Sequence, residues 1–145
     1  MTNAELHHAV RDGIARGLAI VGLAGIALVH LVDAPGQFAE TPYLGWMYVG
    51  LIAGCGVLAA SLLRRSDRRV WAAAGALALS VIAGYSLSRT TGLPADSGDI
   101  GNWGEPLGIV SLFVEGCVVA VSAFALSTLV PRERARALAV AGAAR

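Results

Sequence analysis

The sequence predicts an all-α fold: a transmembrane antiparallel four-helix bundle forming one domain over residues 1–145. Three observations predict it. The chain is 56% hydrophobic and only 14% charged, whereas soluble domains carry about 25% charged residues. A water-soluble fold of this size could not hide that much apolar surface. The apolar residues gather in four long runs with short connections. Finally, all 11 basic residues are arginine, and ten of them fall on alternate connections or at the two ends.

The runs cover about 14–32, 43–63, 70–88 and 106–130. Each approaches or exceeds the roughly 20 residues needed to cross ~30 Å of hydrocarbon at ~1.5 Å per residue. Strands would be shorter and would alternate. The segment before the first run is expected to be a cytoplasmic tail, because Glu5 and Asp12 interrupt the positive region a cleavable signal requires. "DAPGQFAETP" (33–42) and the 89–105 segment are expected to be outer loops, and "RRSDRR" (64–69) an inner one. Short links make sequential helices antiparallel neighbours.

Arginine placement sets the orientation. Arg11 and Arg16 precede the first run, Arg64, Arg65, Arg68 and Arg69 join the second to the third, and Arg132, Arg134, Arg136 and Arg145 follow the fourth. The other side holds only Arg89, against Asp33, Glu40, Asp96, Asp99 and Glu105. The positive-inside rule then places both termini in the cytoplasm of a multi-pass plasma-membrane protein. Tyr43, Trp46, Tyr48 and Trp103 are expected at the outer headgroup level and Trp71 at the inner one. A net charge of +1 with no basic domain argues against nucleic acid as a partner; the lipid bilayer is the expected one. The arginine-only, alanine-rich composition points to a GC-rich genome.

Lipid gives helices no hydrophobic reason to associate, so small residues must let them approach. Gly13, Gly17, Gly22 and Gly25 in the first run, Gly50 and Gly54 in the second, and Ser80, Gly84 and Ser88 in the third are such stripes. Gly108, Ser111, Glu115 and Ser122 form another in the fourth. All are expected to face into the bundle. The same pattern would equally serve a homo-oligomer. Cys55 and Cys117 read as small buried residues, with a thiol or copper site the less favoured alternative.

Glu115 is the one acid inside an apolar run, "VSLFVEGCVVAV". A carboxylate there is costly unless paired, hydrated or protonated. His30 and Asp33 share a face at the end of the first run, Arg89 ends the third with Tyr85 one turn below, and Ser111 lies one turn from Glu115. These residues converge at one depth in an antiparallel bundle. One expectation is a structural pair of Glu115 with Arg89 and of His30 with Asp33. The other is a polar cavity holding a divalent metal, a proton or a small ligand, with His30, Asp33 and Glu115 as the N/O ligand candidates. No cofactor motif is present. His7 and His8 lie at the opposite end and cannot join.

The 89–105 loop carries Pro94 and the glycines at 92, 98, 101 and 104, which favour turns. Asp96, Asp99 and Asn102 lack the alternation of a calcium loop, and the glycines follow no strand, so they are not a dinucleotide fingerprint. Trp103, Glu105 and Pro106 mark a helix start: proline suits the first turn, and Glu105 complements the helix dipole. "SRTTGLP" followed by "NWGEPLGIVSLFVEG" resembles a pattern in small four-span integral membrane proteins of actinobacterial genomes, as does the histidine in "LVHLVDAPGQFAETPYLG". The resemblance rests on Arg89, Gly92, Leu93, Pro94, Trp103, Glu105, Pro106 and Glu115 and spans about half the chain. It implies a fold and a lineage but no activity.

Three functions are compatible with this sequence. The leading one is a non-enzymatic accessory or complex-forming membrane subunit, since no nucleophile–base pair is visible. The alternative is an outer-facing polar site under the 89–105 loop. The third is an oligomeric transporter or channel, because four spans are few for a monomeric pore and none is broken by an internal proline.

Overall fold

The computed structural model describes residues 2–129. Val130 and Arg132, Arg134, Arg136 and Arg145 lie outside the described residues. Helix α1 is Asn3–Glu40, α2 is Pro42–Arg64, α3 is Arg68–Thr90 and α4 is Pro106–Phe124, which runs on into a π-helical turn at Ala125–Leu129. All four helices are long and apolar enough to cross a membrane. Among the described residues there is no strand, only an isolated bridge between Leu93 and Asp96.

Helix α1 is longer than the first apolar run at both ends. The expected tail is helical from Asn3, because Thr2 and Glu5 form a capping box: the Glu5 N–H donates to Thr2 Oγ1 at 3.3 Å and the Thr2 N–H to Glu5 Oε2 at 2.9 Å. The expected outer loop 33–42 is also corrected, since helix continues through Pro35 to Glu40 and only Thr41 separates α1 from α2. Pro35 removes one donor, but one missing donor does not end a helix whose neighbouring turns hold. The Thr41 N–H closes α1 on the Gln37 carbonyl at 2.8 Å, and Pro42 suits the first turn of α2. The reversal is tight because Gly45 has no side chain: a Cβ there would fall 2.6 Å from the Phe38 ring.

The α2–α3 turn is fixed by Asp67. Its side chain accepts the N–H groups of Arg69 (2.8 Å) and Val70 (3.0 Å). Those bonds, led by Val70, hold its carboxyl below the usual range, with Arg65 and Arg69 adding to the effect. Arg16 reaches from α1 to the carbonyls of Leu62 (2.6 Å) and Leu63 (2.7 Å), which as last-turn groups of α2 have no partner within the helix. Ser66 Oγ donates to Asp12 at 2.8 Å and accepts the Trp71 indole N–H at 2.9 Å. Trp71 is therefore fully buried rather than the expected headgroup anchor; its polar atom is satisfied inside the protein.

The core takes Ala15, Ala19, Leu23 and Ile26 from one face of α1, with Leu62, Trp71, Ala74, Ala78 and Val118 from the others. Helix α1 packs on α2 and α4, and α3 packs on α4. Glycines set two of these approaches. A Cβ on Gly22 would lie 2.5 Å from Val118 Cγ2, and one on Gly25 3.0 Å from Val114 Cγ1. A Cβ on Gly75 would lie 3.2 Å from Ser122 Cβ, and Gly108 is covered by the Tyr85 ring. The other expected seams are formed only in part: a Cβ on Gly54 would lie 3.6 Å from Leu77 Cδ1, but nothing lies within 4 Å of one on Gly13, Gly17, Gly50 or Gly84. Helices α2 and α3, although joined directly, make the least contact of the sequential neighbours. The space left between them is the cleft described next.

Candidate functional site

The cleft has a volume of about 770 Å³. Its side walls are Met47, Gly50 and Leu51 of α2 and Leu77, Ser80, Val81 and Gly84 of α3. Polar residues gather at the end that carries the 91–105 loop: His30 and Asp33 of α1, Tyr43 and Tyr48 of α2, Arg89 of α3, and Asp96, Asp99 and Glu105 of the loop.

Local chemistry explains why the loop roofs this end. Helix α3 stops at Thr90, the N–H groups of Thr91 and Gly92 both return to the Leu87 carbonyl at 3.0 Å, and Gly92 takes φ +76°. A left-handed residue here is the usual helix ending and suits glycine. Leu93 and Asp96 then exchange backbone bonds of 2.7 and 2.9 Å around Pro94 and Ala95, the latter at φ +60°. The Tyr43 hydroxyl donates to the Pro94 carbonyl at 2.8 Å, tying the loop to α2. Arg89 ties it to α3. The guanidinium, only 5% exposed, pairs with Asp99 and with Glu105, and the Arg89 carbonyl accepts the Gly101 N–H at 2.9 Å.

Glu105 occupies the N-cap of α4, with Pro106 in the first turn, but its side chain makes no capping bond; its carboxylate goes to Arg89 instead. Tyr85 lies under the guanidinium, 4.8 Å from ring centroid to Cζ, a favourable cation–π distance. Trp103 meets Tyr85 edge-on at 6.0 Å. The Tyr85 hydroxyl and Arg89 Nε are buried and make no hydrogen bond of good geometry among the described residues, although the hydroxyl lies beside the guanidinium.

Both expected structural pairs are corrected. His30 does not bond Asp33: its Nδ1 lies 2.9 Å from the Ile26 carbonyl, which can only accept, so Nδ1 carries the proton. Asp33 instead accepts from the Tyr48 hydroxyl at 3.1 Å and from Gln37 at 3.4 Å. The backbone carbonyl four residues back is simply the nearer partner for the imidazole. Glu115 does not pair with Arg89 either. It is fully buried, accepts the Ser111 hydroxyl at 2.6 Å, and leaves Oε2 without a partner among the described residues. Asp99 and Glu105 take the guanidinium because they close over the very end of α3, while Glu115 sits more than two turns into α4.

His30, Asp33 and Glu115 do not come together as ligands; among the described residues no three His, Cys, Asp or Glu side chains form a group that could hold a metal. Cys55 is buried, but Cys117 is exposed, contrary to expectation, and both are free thiols. Tyr43, Tyr48 and Gln37 were not among the expected site residues. Tyr48 could have been found: it continues the inward face of Leu44, Leu51 and Cys55 at helical spacing. Tyr43 and Gln37 carry no such signal.

Fold and composition define a class: four apolar helices compatible with a small integral membrane protein. Beyond that class, no protein family, no curated protein and no solved structure matches the chain.

Proposed function

We propose that this chain is a multi-pass plasma-membrane protein, an antiparallel four-helix bundle with both termini cytoplasmic, and that the α2–α3 cleft is an outward-facing site for a small ligand. The arginine distribution supports that orientation, and the sequence pattern around the loop supports an actinobacterial lineage. One observation carries the ligand site: a cleft of about 770 Å³ whose polar end holds side chains that are buried yet incompletely bonded. Its volume falls within the ~300–1,000 Å³ usual for small-molecule sites.

Binding fits better than metal chemistry, because the metal candidates His30, Asp33 and Glu115 point to different partners. It also fits better than an accessory-subunit role. Outward apolar side chains such as Val21 and Phe113 are what lipid contact itself requires, so they single out no protein partner. The test is native mass spectrometry of protein released from its own membrane in lipid nanodiscs. A bound small molecule is expected on the wild type and is expected to be lost from Gly84→Trp, which fills the cleft. Equal occupancy in both proteins would rule the cleft out as the site.

A further inference from the structure

We infer that the ligand of this cleft is a protonated amine carrying an apolar tail, an inference that rests on the binding-site proposal above. Charge comes first. Four carboxylates and one guanidinium line the polar end. Arg89 is neutralised by Asp99 and Glu105. Asp33 and Asp96 have no cation in ion-pair reach among the described residues, so the end carries a negative excess. An anionic head group would meet repulsion there, and a cation would be attracted.

The hydrogen-bonding pattern narrows the head group further. His30 is only 6% exposed and lines the cleft. Its Nδ1 proton is committed to Ile26, so when the ring is neutral Nε2 is an acceptor, and no described residue donates to it. Asp33 on the next turn is also an acceptor. An ammonium N–H can satisfy both; a quaternary ammonium, which has no N–H, cannot. Tyr43 and Tyr48 line the same end, and aromatic rings are favourable neighbours for organic cations.

The walls supply the tail's environment. Leu51, Leu77 and Val81 face the cleft, and Gly50 and Gly84 keep it open because they carry no side chain. A bare ion or a polyamine would leave this surface uncovered. An alkyl chain covers it and makes dispersion contacts along both walls.

The experiment compares dodecylamine, dodecyltrimethylammonium, dodecanol and dodecyl sulfate, each below its micelle concentration. The protein is held in phosphatidylcholine nanodiscs, with empty nanodiscs subtracted. Dodecylamine is expected to bind about tenfold or more tighter than dodecanol, a ratio equivalent to ~1.4 kcal/mol. The trimethylammonium compound should fall between them and the sulfate should be weakest. Asp33→Asn with Asp96→Asn is expected to abolish the amine's advantage while dodecanol affinity stays unchanged. If all four bind equally and Gly84→Trp removes them all, the amine inference falls and the binding site stands. If none binds above empty nanodiscs, both fall. An amine preference that survives the double Asp→Asn change also overturns the inference.

Discussion

Where α1 meets α4, Gly22 and Gly25 let Val118 and Val114 occupy the space a side chain would fill. Between α2 and α3, Gly50 and Gly84 have nothing within 4 Å of that position. Both regions carry small residues at helical spacing, and only one is closed. The difference lies in what stands opposite. A glycine facing a branched side chain receives a knob and gains dispersion contacts. Across the cleft no side chain reaches the space beside Gly50 or Gly84, so that space stays empty between Met47 and Leu51 on one wall and Leu77 and Val81 on the other. Small residues permit close approach; they do not enforce it.

The comparison can be broken most severely at the head of the cleft. Arg89→Met would leave Asp99 and Glu105 without their cation; because both carboxylates are about one-third exposed, the loss should fall toward the low end of the roughly 3–5 kcal/mol seen for buried pairs. A large drop in unfolding midpoint in mild detergent is expected; an unchanged midpoint would show that the loop does not depend on the guanidinium. Next comes the closed seam. Gly22→Leu forces a side chain into Val118, and overpacking of this kind costs about 1–3 kcal/mol. The same denaturation series should show Gly50→Leu to be far milder, and equal losses at the two positions would erase the distinction between seam and cleft.

Smaller effects sharpen it. Asp67→Ala removes the α3 N-cap, a small loss at this exposed position. Because the folded state holds this carboxyl below its usual range, the cap contributes above the unfolded value and is lost as pH falls through the folded one. The variant should therefore track the wild type at strongly acid pH and fall below it at neutral pH in the same unfolding assay. Last, Gly84→Ala meets open space, and alanine exceeds glycine in helix propensity by ~1 kcal/mol. A slight rise in stability is expected, and a loss would mean that another helix approaches there.

The four apolar runs were legible because hydropathy reports burial in lipid directly. The helix ends were not. Residues 33–40 are polar and contain Pro35 and Gly36, so composition suggests a loop, yet the helix needs only its backbone bonds to continue past the apolar layer. The start at Thr2 was within reach, since threonine followed three positions later by glutamate is a capping signal. Of the residues singled out from position alone, His30, Asp33, Tyr85, Arg89, Ser111 and Glu105 line the cleft, whereas Glu115, Trp103 and Pro106 do not. Who bonds whom could not be read. Arg89 chooses between Glu105 and Glu115, and His30 between Asp33 and the Ile26 carbonyl, on differences in reach that residue spacing does not encode. The cleft left no trace either: "GLIAG" in α2 has the spacing of a packed seam, yet Leu77 of α3 reaches Gly54 and nothing reaches Gly50.

The pairing of Arg89 with Glu105, 16 positions apart, turns the 91–105 loop into a noncovalent ring. Closing a segment of this length restricts its conformational freedom much as a covalent cross-link would, at a cost that grows only slowly with length. The clasp is shielded on its inner side, where the guanidinium is buried, while its two carboxylates are each about one-third exposed. Buried pairs are screened by salt far less than exposed ones. The roof over the cleft is therefore expected to keep its shape from dilute buffer to molar salt, and amide protection of Gly101, whose N–H is held by the Arg89 carbonyl, would report it.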